Sequence, residues 1–383
     1  MKQSIGNLDQ PGQLQLFPRY LIACDKFKGS LDSLSAGQAL AEGIREANTR
    51  ARLLILSVAD GGQGFLQALS RCYEQFELRQ TNCRDPLGRQ REGHYGWDPI
   101  SGTAFIESAE AIGLPWLQPH ERNPWHAHSA GLGDLMLATL RHMPERLYIG
   151  LGGSASCDGG LGCLEALGFE LRDAHGRQLA GVPESLARIH SLKAPARTFP
   201  PIVAVCDVAN PPHGARGGVR VYSPQKGADP ALVERLEVGM NHWRRVLEDF
   251  AGESLTDLAG GGAAGCLGLA LRAALGAQLV PGADWMLDQL AFDQALDWAD
   301  MVLTGEGAVD PSSLEGKITG QILARAQLAG KPAWIVSGQS VSISGLSAES
   351  YALNDLDDRA AESPELSLEL LRLIGQQIGS EVK

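Results

Sequence analysis

The most informative stretch of this chain is R-L-Y-I-G-L-G-G-S-A-S-C-D-G-G-L-G, residues 146–162. Its first residues, 146–151, form an apolar run of strand length, and a helix is expected over 160–167 after the glycine-rich turn. Strand, short turn and helix follow each other again at both ends of the chain. Because this alternation is typical of a parallel sheet covered by helices on both faces, the sequence predicts an α/β protein.

Four further turns with glycine or acidic residues also follow apolar runs of strand length. They are D-K-F-K-G-S at 25–30, A-D-G-G-Q-G at 59–64, C-D-V-A-N at 206–210, and T-G-E-G at 304–307 with its continuation to Asp310 and Lys317. Open α/β sheets bind ligands at the carboxyl ends of their strands, and glycine lets the backbone approach a phosphate closely. Aspartates there suit Mg²⁺ or accept a proton from a hydroxyl, and lysines neutralise phosphate charge. Together the turns predict a phosphoryl-transfer site.

The order of elements predicts two domains, one inserted into the other. Residues 79–107 form short alternating segments with turns at 85–88 and 98–102, as antiparallel strands do. Near the start of the chain, Ser33 and Ser35 are the expected N-caps of the first helix. The expected division is a polar arm at 1–18, a Rossmann-like parallel-sheet α/β domain formed by both chain ends at 19–78 and 285–383, and an inserted mixed α/β domain at 79–284.

Composition and charge exclude several classes of function. The chain has 383 residues and a formal net charge of −12, so electrostatic binding to nucleic acid or to an anionic membrane is not expected. Its seven cysteines, an odd number without a C-x-x-C pair, predict reduced thiols rather than a disulfide framework or a zinc ribbon. No signal-peptide or membrane-spanning pattern is visible, so a cytoplasmic protein is expected. The oligomeric state stays open, with a homodimer as one candidate.

Other candidate sites in the sequence have simpler structural explanations. His126 and His128 form H-x-H, but no third ligand lies at a useful spacing, so surface or capping positions are favoured. Cys157 lies in the glycine-rich turn without a visible histidine partner for nucleophilic catalysis. Ser154 and Ser156 lack the G-x-S-x-G pattern, and the turn matches neither G-x-G-x-x-G nor the P-loop. Phosphate hydrogen bonding or loop geometry explains these serines better.

Seven motifs follow one another along most of the chain. They are D-x-F-K-G-S at 25–30, A-D-G-G-x-G at 59–64, R-N-P at 122–124, G-L-G-G-S-A-S-x-D-G-G at 150–160, C-D-V-x-N-P at 206–211, P-Q-K-G-A at 224–228, and T-G-E-G-x-V-D-x-x-S-L-x-G-K at 304–317. In this order and spacing they resemble the bacterial glycerate kinase family, of the type that phosphorylates the 2-hydroxyl of D-glycerate.

The resemblance implies two α/β domains with the active site in the cleft between them, and it implies ATP, Mg²⁺ and a small hydroxy acid as ligands. It implies catalytic roles for Asp207, as a proton acceptor or metal-ordering carboxylate, and for Asp310, and both are the expected metal ligands. Lys28, the third catalytic candidate, and Lys317 would bind substrate carboxylate or phosphate. Substrate or nucleotide binding is expected at Ser30, Asp60, Gly61, Gly62, Gly152, Gly153, Ser154, Asp158, Asn210, Gln225, Lys226, Glu306 and Lys317.

The chain departs from the usual family pattern at several polar positions. Gln63 replaces a glutamate of D-G-G-E-G, and Ala209 replaces an aspartate of C-D-V-D-N-P. Ala308 replaces an arginine after T-G-E-G, which removes a guanidinium suited to carboxylate or phosphate. Ser312 replaces a common glutamine. These departures leave open a kinase of another small hydroxy acid, or a catalytically inactive regulatory homologue.

Overall fold

The structure, a computed structural model, describes residues 17–27, 30–314, 316–339, 348–360 and 363–381. Two units make up this part of the chain. The first contains the described residues of Met1–Asp60, Gln67–Glu74 and Ala283–Lys383, and the second contains Gly61–Leu66 and Gln75–Gly282. Lys28 lies outside the described residues, as do residues 1–16 of the expected polar arm.

The elements below are numbered in chain order. The strands are β1 (Arg19–Cys24), β2 (Arg52–Ile55), β3 (Glu77–Arg84), β4 (Gln90–Asp98), β5 (Thr103–Glu107), β6 (Arg146–Leu151), β7 (Glu170–Arg172), β8 (Ser191–Lys193), β9 (Ile202–Cys206), β10 (Gln278–Pro281), β11 (Met301–Glu306), β12 (Ala333–Ser337) and β13 (Glu349–Ala352). The helices are α1 (Ser33–Ala47), α2 (Phe65–Leu69), α3 (Ser108–Ile112), α4 (Ala130–Leu140), α5 (Leu161–Ala166), α6 (Gly218–Tyr222), α7 (Pro230–Ala251), α8 (Ala263–Leu275), α9 (Gly282–Gln289), α10 (Phe292–Trp298), α11 (Ile318–Leu328) and α12 (Pro364–Glu381). Within the described ranges, no helix is both long and apolar enough to cross a lipid bilayer.

The first unit is built on a parallel sheet with the strand order β13-β12-β11-β1-β2. Side chains alternate between the faces of β1, so that Tyr20, Ile22 and Cys24 pack in one apolar core with α1 and α12. The opposite face contacts α10 and α11. The predicted parallel sheet with helices on both faces is thereby confirmed.

The strand order also shows where this sheet would bind a ligand. Numbered within the unit, the order is 2-1-3-4-5, which is the flavodoxin type of doubly wound sheet. The order reverses between β1 and β11, and such sheets bind ligands outside the carboxyl ends of the strands at this point. Asp25 directly follows β1, and Glu306 ends β11. The topology therefore predicts that Asp25 and Glu306 lie near a ligand-binding position of this sheet.

The second unit is built on a mixed sheet with the strand order β10-β9-β6-β5-β4-β3. Strands β5, β6, β9 and β10 are parallel, and β3, β4 and β5 form antiparallel pairs. The antiparallel segment predicted within 79–107 is confirmed, with its turns between β3 and β4 and between β4 and β5. Gly150 of β6 lies beside Val205 of β9 in register, so the turns that follow these strands start at the same edge.

The N-cap of α1 differs from the prediction. The cap is Asp32, whose carboxylate accepts a hydrogen bond from the Ser35 N–H at 2.7 Å. Ser33 is already helical, and its hydroxyl accepts the Val58 N–H at 2.8 Å. A carboxylate and a hydroxyl are both good caps, so the sequence pattern alone could not choose between adjacent polar residues.

The helices α1 and α12 touch through their backbones. A Cβ atom placed on Gly43 would lie 1.9 Å from the carbonyl oxygen of Arg372, and one placed on Gly375 would lie 2.3 Å from that of Leu40. Each distance is far below van der Waals contact. These glycines therefore set how closely the two helices approach each other.

We predict that Gly43→Ala destabilises the protein although alanine favours helix. The helix propensity gain is about 1 kcal/mol, but separating two packed backbones costs about 1–3 kcal/mol or more. The urea unfolding midpoint should fall for this variant and stay unchanged for Gln38→Ala, an exposed position of the same helix. A raised midpoint for Gly43→Ala would contradict the close helix contact.

Candidate functional site

Carboxylates gather at the carboxyl edge of the sheet in the first unit. Asp25, which the sequence analysis did not select, is 7% exposed and accepts the Lys26 N–H at 2.7 Å. Burial, the charge of Asp60 and, more weakly, that of Glu306 together raise the pKa of Asp25 to about 7, although Lys26 opposes them. A carboxyl group with a pKa near neutrality can both accept and donate a proton at physiological pH. We call Asp25, Asp60 and Glu306 the carboxylate cluster.

The surroundings of Glu306 shift the pKa of its carboxyl group in opposite directions. Burial raises the pKa of its carboxyl group, Ser313, Lys317 and Thr319 lower it, and Asp60 raises it. The structure thus brings Glu306, Asp60 and Lys317, all expected binding residues, into one electrostatic neighbourhood.

Two other expected residues of the first unit make local contacts. Asp310 is exposed, and its carboxylate accepts the Ser313 N–H at 3.1 Å, so it caps the short 3₁₀ turn at Pro311–Leu314. The Ser30 hydroxyl donates to the Ser367 hydroxyl on α12 at 2.6 Å. Their expected roles in catalysis and binding stay predictions.

In the second unit, three of the predicted turns meet backbone to backbone. A Cβ atom on Gly61 would lie 2.5 Å from the Val205 carbonyl oxygen, and one on Gly150 would lie 2.5 Å from the Gly61 carbonyl oxygen. A Cβ atom on Gly152 would lie 2.4 Å from Asp207 Oδ2 and 2.7 Å from Gly62 Cα. The turns at 59–64, 150–162 and 206–210 therefore come together only because side chains are absent. We call Gly61, Gly62, Gly150, Gly152 and Asp207 the glycine cluster.

Asp158 holds the glycine-rich turn from within the protein. Its carboxylate is fully buried and accepts the Ser129 N–H at 2.8 Å, the Ser129 hydroxyl at 2.7 Å and the Gly162 N–H at 3.0 Å. The Gly160 N–H adds a longer bond of 3.3 Å. These contacts make Asp158 an anchor for the turn, and its expected role in substrate or nucleotide binding stays a prediction. Buried carboxylates need such donors to offset their desolvation.

Lys226 supports the same turn from another side. Its ammonium group donates to the Ser156 carbonyl oxygen at 2.7 Å and to the Ser154 hydroxyl at 3.1 Å. Burial lowers the pKa of Lys226, and neighbouring groups that include Asp207 oppose this shift. Lys226 is 4% exposed, so it would affect a bound ligand by holding the loop in place rather than by direct contact.

The remaining expected residues of the second unit lie around this loop. Gly153 has a left-handed backbone with φ of 64°, which favours glycine. The Asn210 amide donates to the Arg216 carbonyl oxygen at 2.8 Å and accepts the Tyr222 hydroxyl at 2.7 Å, so it braces its own turn. Gln225 is exposed in the 3₁₀ turn Pro224–Lys226, which ends at Lys226.

The structure also bears on whether Cys157 could act as a nucleophile. The thiol is buried, and burial raises its pKa to about 11, so a thiolate nucleophile is not available at neutral pH.

The expected carboxylates of this chain would bind Mg²⁺ together with oxygen ligands from water and from substrate phosphates. In the part of the chain that the structure describes, no group of three His, Cys, Asp or Glu side chains could hold a metal ion. The expected metal ligands Asp207 and Asp310 belong to different units. Mg²⁺ usually keeps several waters and is bound by one or two carboxylates plus substrate phosphates, so single carboxylates suit an ion that arrives on a nucleotide.

Sequence analysis missed Asp25, Glu107 and Ser108. Glu107 accepts the Gly64 and Leu66 N–H groups, and the Ser108 hydroxyl bonds Gly152. Both residues follow the apolar segment of β5, which is the same signal that identified the other turns. That signal was available for Asp25 as well, because it directly follows β1.

Comparisons with known proteins identify the family to which this chain is similar. Residues 20–358 match the model of the glycerate kinase family. A glycerate kinase of Halalkalibacterium halodurans is 34% identical over 322 residues, which cover 83% of this chain and 84% of that relative. A glycerate 2-kinase of Escherichia coli K12 is 34% identical over 304 residues, which cover 78% and 80% respectively. A solved structure described as glycerate kinase 2 from Salmonella typhimurium LT2 is 34% identical, with a TM-score of 0.79 over 96% of this chain and 98% of that chain.

The raised pKa of Asp25 predicts a pH-dependent stability change. Folding favours the protonated carboxyl group, so the contribution of Asp25 to stability falls as the pH rises from about 4 towards 7. Asp25→Asn removes the buried charge and keeps an oxygen acceptor for the Lys26 N–H. We expect the variant to be more stable than the wild type by about 2–4 kcal/mol at pH 8 and nearly equal to it at pH 4.

Urea unfolding at the two pH values measures this difference. Asp358→Asn, at an exposed position of the same unit, should show no such dependence. An Asp25→Asn variant that is less stable than the wild type at pH 8 would contradict the account of a buried, repelled carboxylate.

Proposed function

This chain belongs to the glycerate kinase family and is a phosphotransferase that acts on an alcohol group, and on that premise we propose that it transfers the γ-phosphoryl group of ATP to the 2-hydroxyl of D-glycerate. Family membership supports glycerate phosphorylation in general. The choice of the 2-hydroxyl follows the motif resemblance and the similarity to a relative named glycerate 2-kinase. The interdomain cleft, the cytoplasmic location and a homodimer stay predictions.

The observation that carries the proposal is the glycine cluster. Two of its three turns follow β6 and β9, and the turns pack so closely that a Cβ atom on Gly61, Gly150 or Gly152 would collide with a neighbouring atom. Such a bare backbone at the carboxyl ends of parallel strands is suited to phosphate, which binds main-chain N–H groups. Phosphoryl transfer needs positioning and charge stabilisation more than covalent chemistry from the protein, and a rigid backbone supplies both.

Asp207 is the proposed partner of the substrate hydroxyl. Its carboxylate lies against Gly152 at the same sheet edge, where a substrate oxygen and a phosphate could be held together. A carboxylate in this position can orient the hydroxyl and accept its proton as the oxygen attacks phosphorus. Asp25, with its pKa of about 7, is the alternative proton acceptor in the first unit. Lys317, beside Glu306, is proposed to neutralise phosphate or carboxylate charge.

Nucleotide use follows from kinase chemistry, and ATP with Mg²⁺ is our proposal for its form. Asp207 is the residue in the glycine cluster that would hold the ion, together with phosphate oxygens and water. The bound ion supplies charge neutralisation at the transferring phosphoryl group. The chain's own residues fix the substrate relative to that group.

We predict that the purified protein releases ADP from Mg-ATP in the presence of D-glycerate, and that Asp207→Asn lowers kcat by about 10²–10⁴-fold because the proton acceptor is lost. A coupled assay for ADP measures both rates. Asp257→Asn, at an exposed position of the same unit, should keep wild-type kcat. No glycerate-dependent ADP release by a folded wild-type protein would overturn the proposed function.

A second candidate is a kinase of another small hydroxy acid. Gln63, Ala209 and Ala308, which depart from the family pattern, are all exposed, whereas Gly61 and Gly62, which precede Gln63 in the chain, are buried. The departures therefore alter the side chains that a ligand can touch and leave the framework of the turns intact. This pattern favours a changed acid pocket over a collapsed site.

A panel of small 2-hydroxy acids in the same assay separates these possibilities. A kcat/KM for another acid that exceeds the value for D-glycerate by 10-fold or more would favour the second candidate, since that ratio is about 1.4 kcal/mol of transition-state preference. An inactive regulatory homologue would instead show a raised melting temperature with a hydroxy acid and no turnover with any acid of the panel.

A further inference from the structure

Two consecutive residues at the end of β5, Glu107 and Ser108, each hold a different glycine turn of the second unit. We propose that they are positioning residues for phosphoryl transfer, which act as a clamp that fixes these turns relative to each other. The inference rests on the proposed function, because it concerns how the glycine cluster is kept in its reactive arrangement. We call Glu107 and Ser108 the β5 clamp.

Glu107 holds the turn at 59–64. Its carboxylate is 6% exposed, and Oε2 accepts the Gly64 N–H at 3.2 Å and the Leu66 N–H at 3.3 Å. These N–H groups lie at the start of α2, where helical N–H groups have no partner within the helix. A buried carboxylate is costly to desolvate, so its bonds to main-chain donors tie the turn firmly to β5.

Ser108 holds the glycine-rich turn. The residue is fully buried, and its hydroxyl donates to the Gly152 carbonyl oxygen at 3.2 Å and accepts the Gly152 N–H at 3.3 Å. One side chain thereby engages both main-chain groups of a single glycine. Gly152 is the residue with no room for a Cβ atom between Asp207 Oδ2 and Gly62 Cα. Ser108 therefore fixes the residue that separates the Asp207 carboxylate from the neighbouring turn.

The effect of the clamp comes from the adjacency of its residues. One peptide bond joins Glu107 to Ser108, so the turn at 59–64 and the turn at 150–162 cannot shift independently while both side chains are bonded. Gly61 and Gly62 belong to the first of these turns, and Gly152 belongs to the second. A shift of about 1 Å in a reacting group can cost about 10²-fold in rate, so this constraint bears on kcat.

The test compares variants that remove one buried hydroxyl each. Ser108→Ala removes the bonds to Gly152, and Thr139→Val removes a fully buried hydroxyl that bonds only the Met136 carbonyl oxygen of its own helix among the contacts of the described chain. Each loss removes a buried hydroxyl from the second unit, so both variants should show a lowered melting temperature. Only Ser108→Ala should lower kcat, by about 10- to 100-fold with a smaller change in KM, at a temperature where all variants are folded.

Glu107 variants provide a graded series. Glu107→Gln keeps a carbonyl oxygen that can accept from Gly64 or Leu66, whereas Glu107→Ala removes the acceptor altogether. We expect kcat to decrease in the order wild type, Glu107→Gln, Glu107→Ala. A merely structural carboxylate would lower the melting temperature in this order and leave kcat unchanged.

Hydrogen exchange provides a readout that does not depend on turnover. Ser108→Ala should speed amide exchange in peptides that cover residues 150–156 by about 10-fold or more, because Gly152 loses its acceptor, and Thr139→Val should not. If the wild type has no kinase activity but exchange at 150–156 is still faster in Ser108→Ala and unchanged in Thr139→Val, the proposed function is refuted. The claim that Ser108 fixes the glycine-rich turn would then stand. Wild-type exchange at 150–156 and kcat within about 2-fold of wild type in Ser108→Ala would overturn the clamp.

Discussion

The contact between Gly152, Gly62 and Asp207 is the constraint on which the second unit depends. A Cβ atom on Gly152 would lie only 2.7 Å from the backbone of Gly62 at Cα, so no other residue could occupy this place without moving a turn. Ser129, Lys226 and Ser108, from three other parts of the chain, all bond the segment that contains this glycine. The phosphate site proposed for this backbone requires rigidity, and these contacts restrain the turn.

The fold could be predicted from sequence because its signals are local. Apolar runs such as Arg146–Leu151 and the turns after them reveal strands and helices within a few residues. The contacts within the site could not be predicted in this way, since Ser108 and Gly152 are 44 residues apart and Ser129 and Asp158 are 29 apart. For the same reason Asp158 was expected to face a ligand: the sequence showed an aspartate in a glycine-rich turn but not its buried partners.

The first unit presents a different kind of chemistry. The strand order reverses between β1 and β11, and this topology brings Asp25 towards Glu306 although they are far apart in the chain. Burial, together with the nearby charges of Asp60 and Glu306, raises the pKa of Asp25 into the range where proton transfer is efficient. The second unit holds bare glycine backbone and Asp207, and the first holds titratable carboxylates and Lys317. Both sets are of the type that phosphoryl transfer to a hydroxyl requires.

The identity of the product tests the central claim most directly. Incubation of the protein with ATP, Mg²⁺ and D-glycerate followed by ³¹P NMR identifies the phosphorylated carbon, because a phosphate on C2 couples to one methine proton and a phosphate on C3 couples to two methylene protons. The account predicts a doublet from 2-phosphoglycerate that grows as ATP is consumed. A triplet from 3-phosphoglycerate would contradict the assignment of the 2-hydroxyl, and no phosphoglycerate signal would contradict the kinase itself.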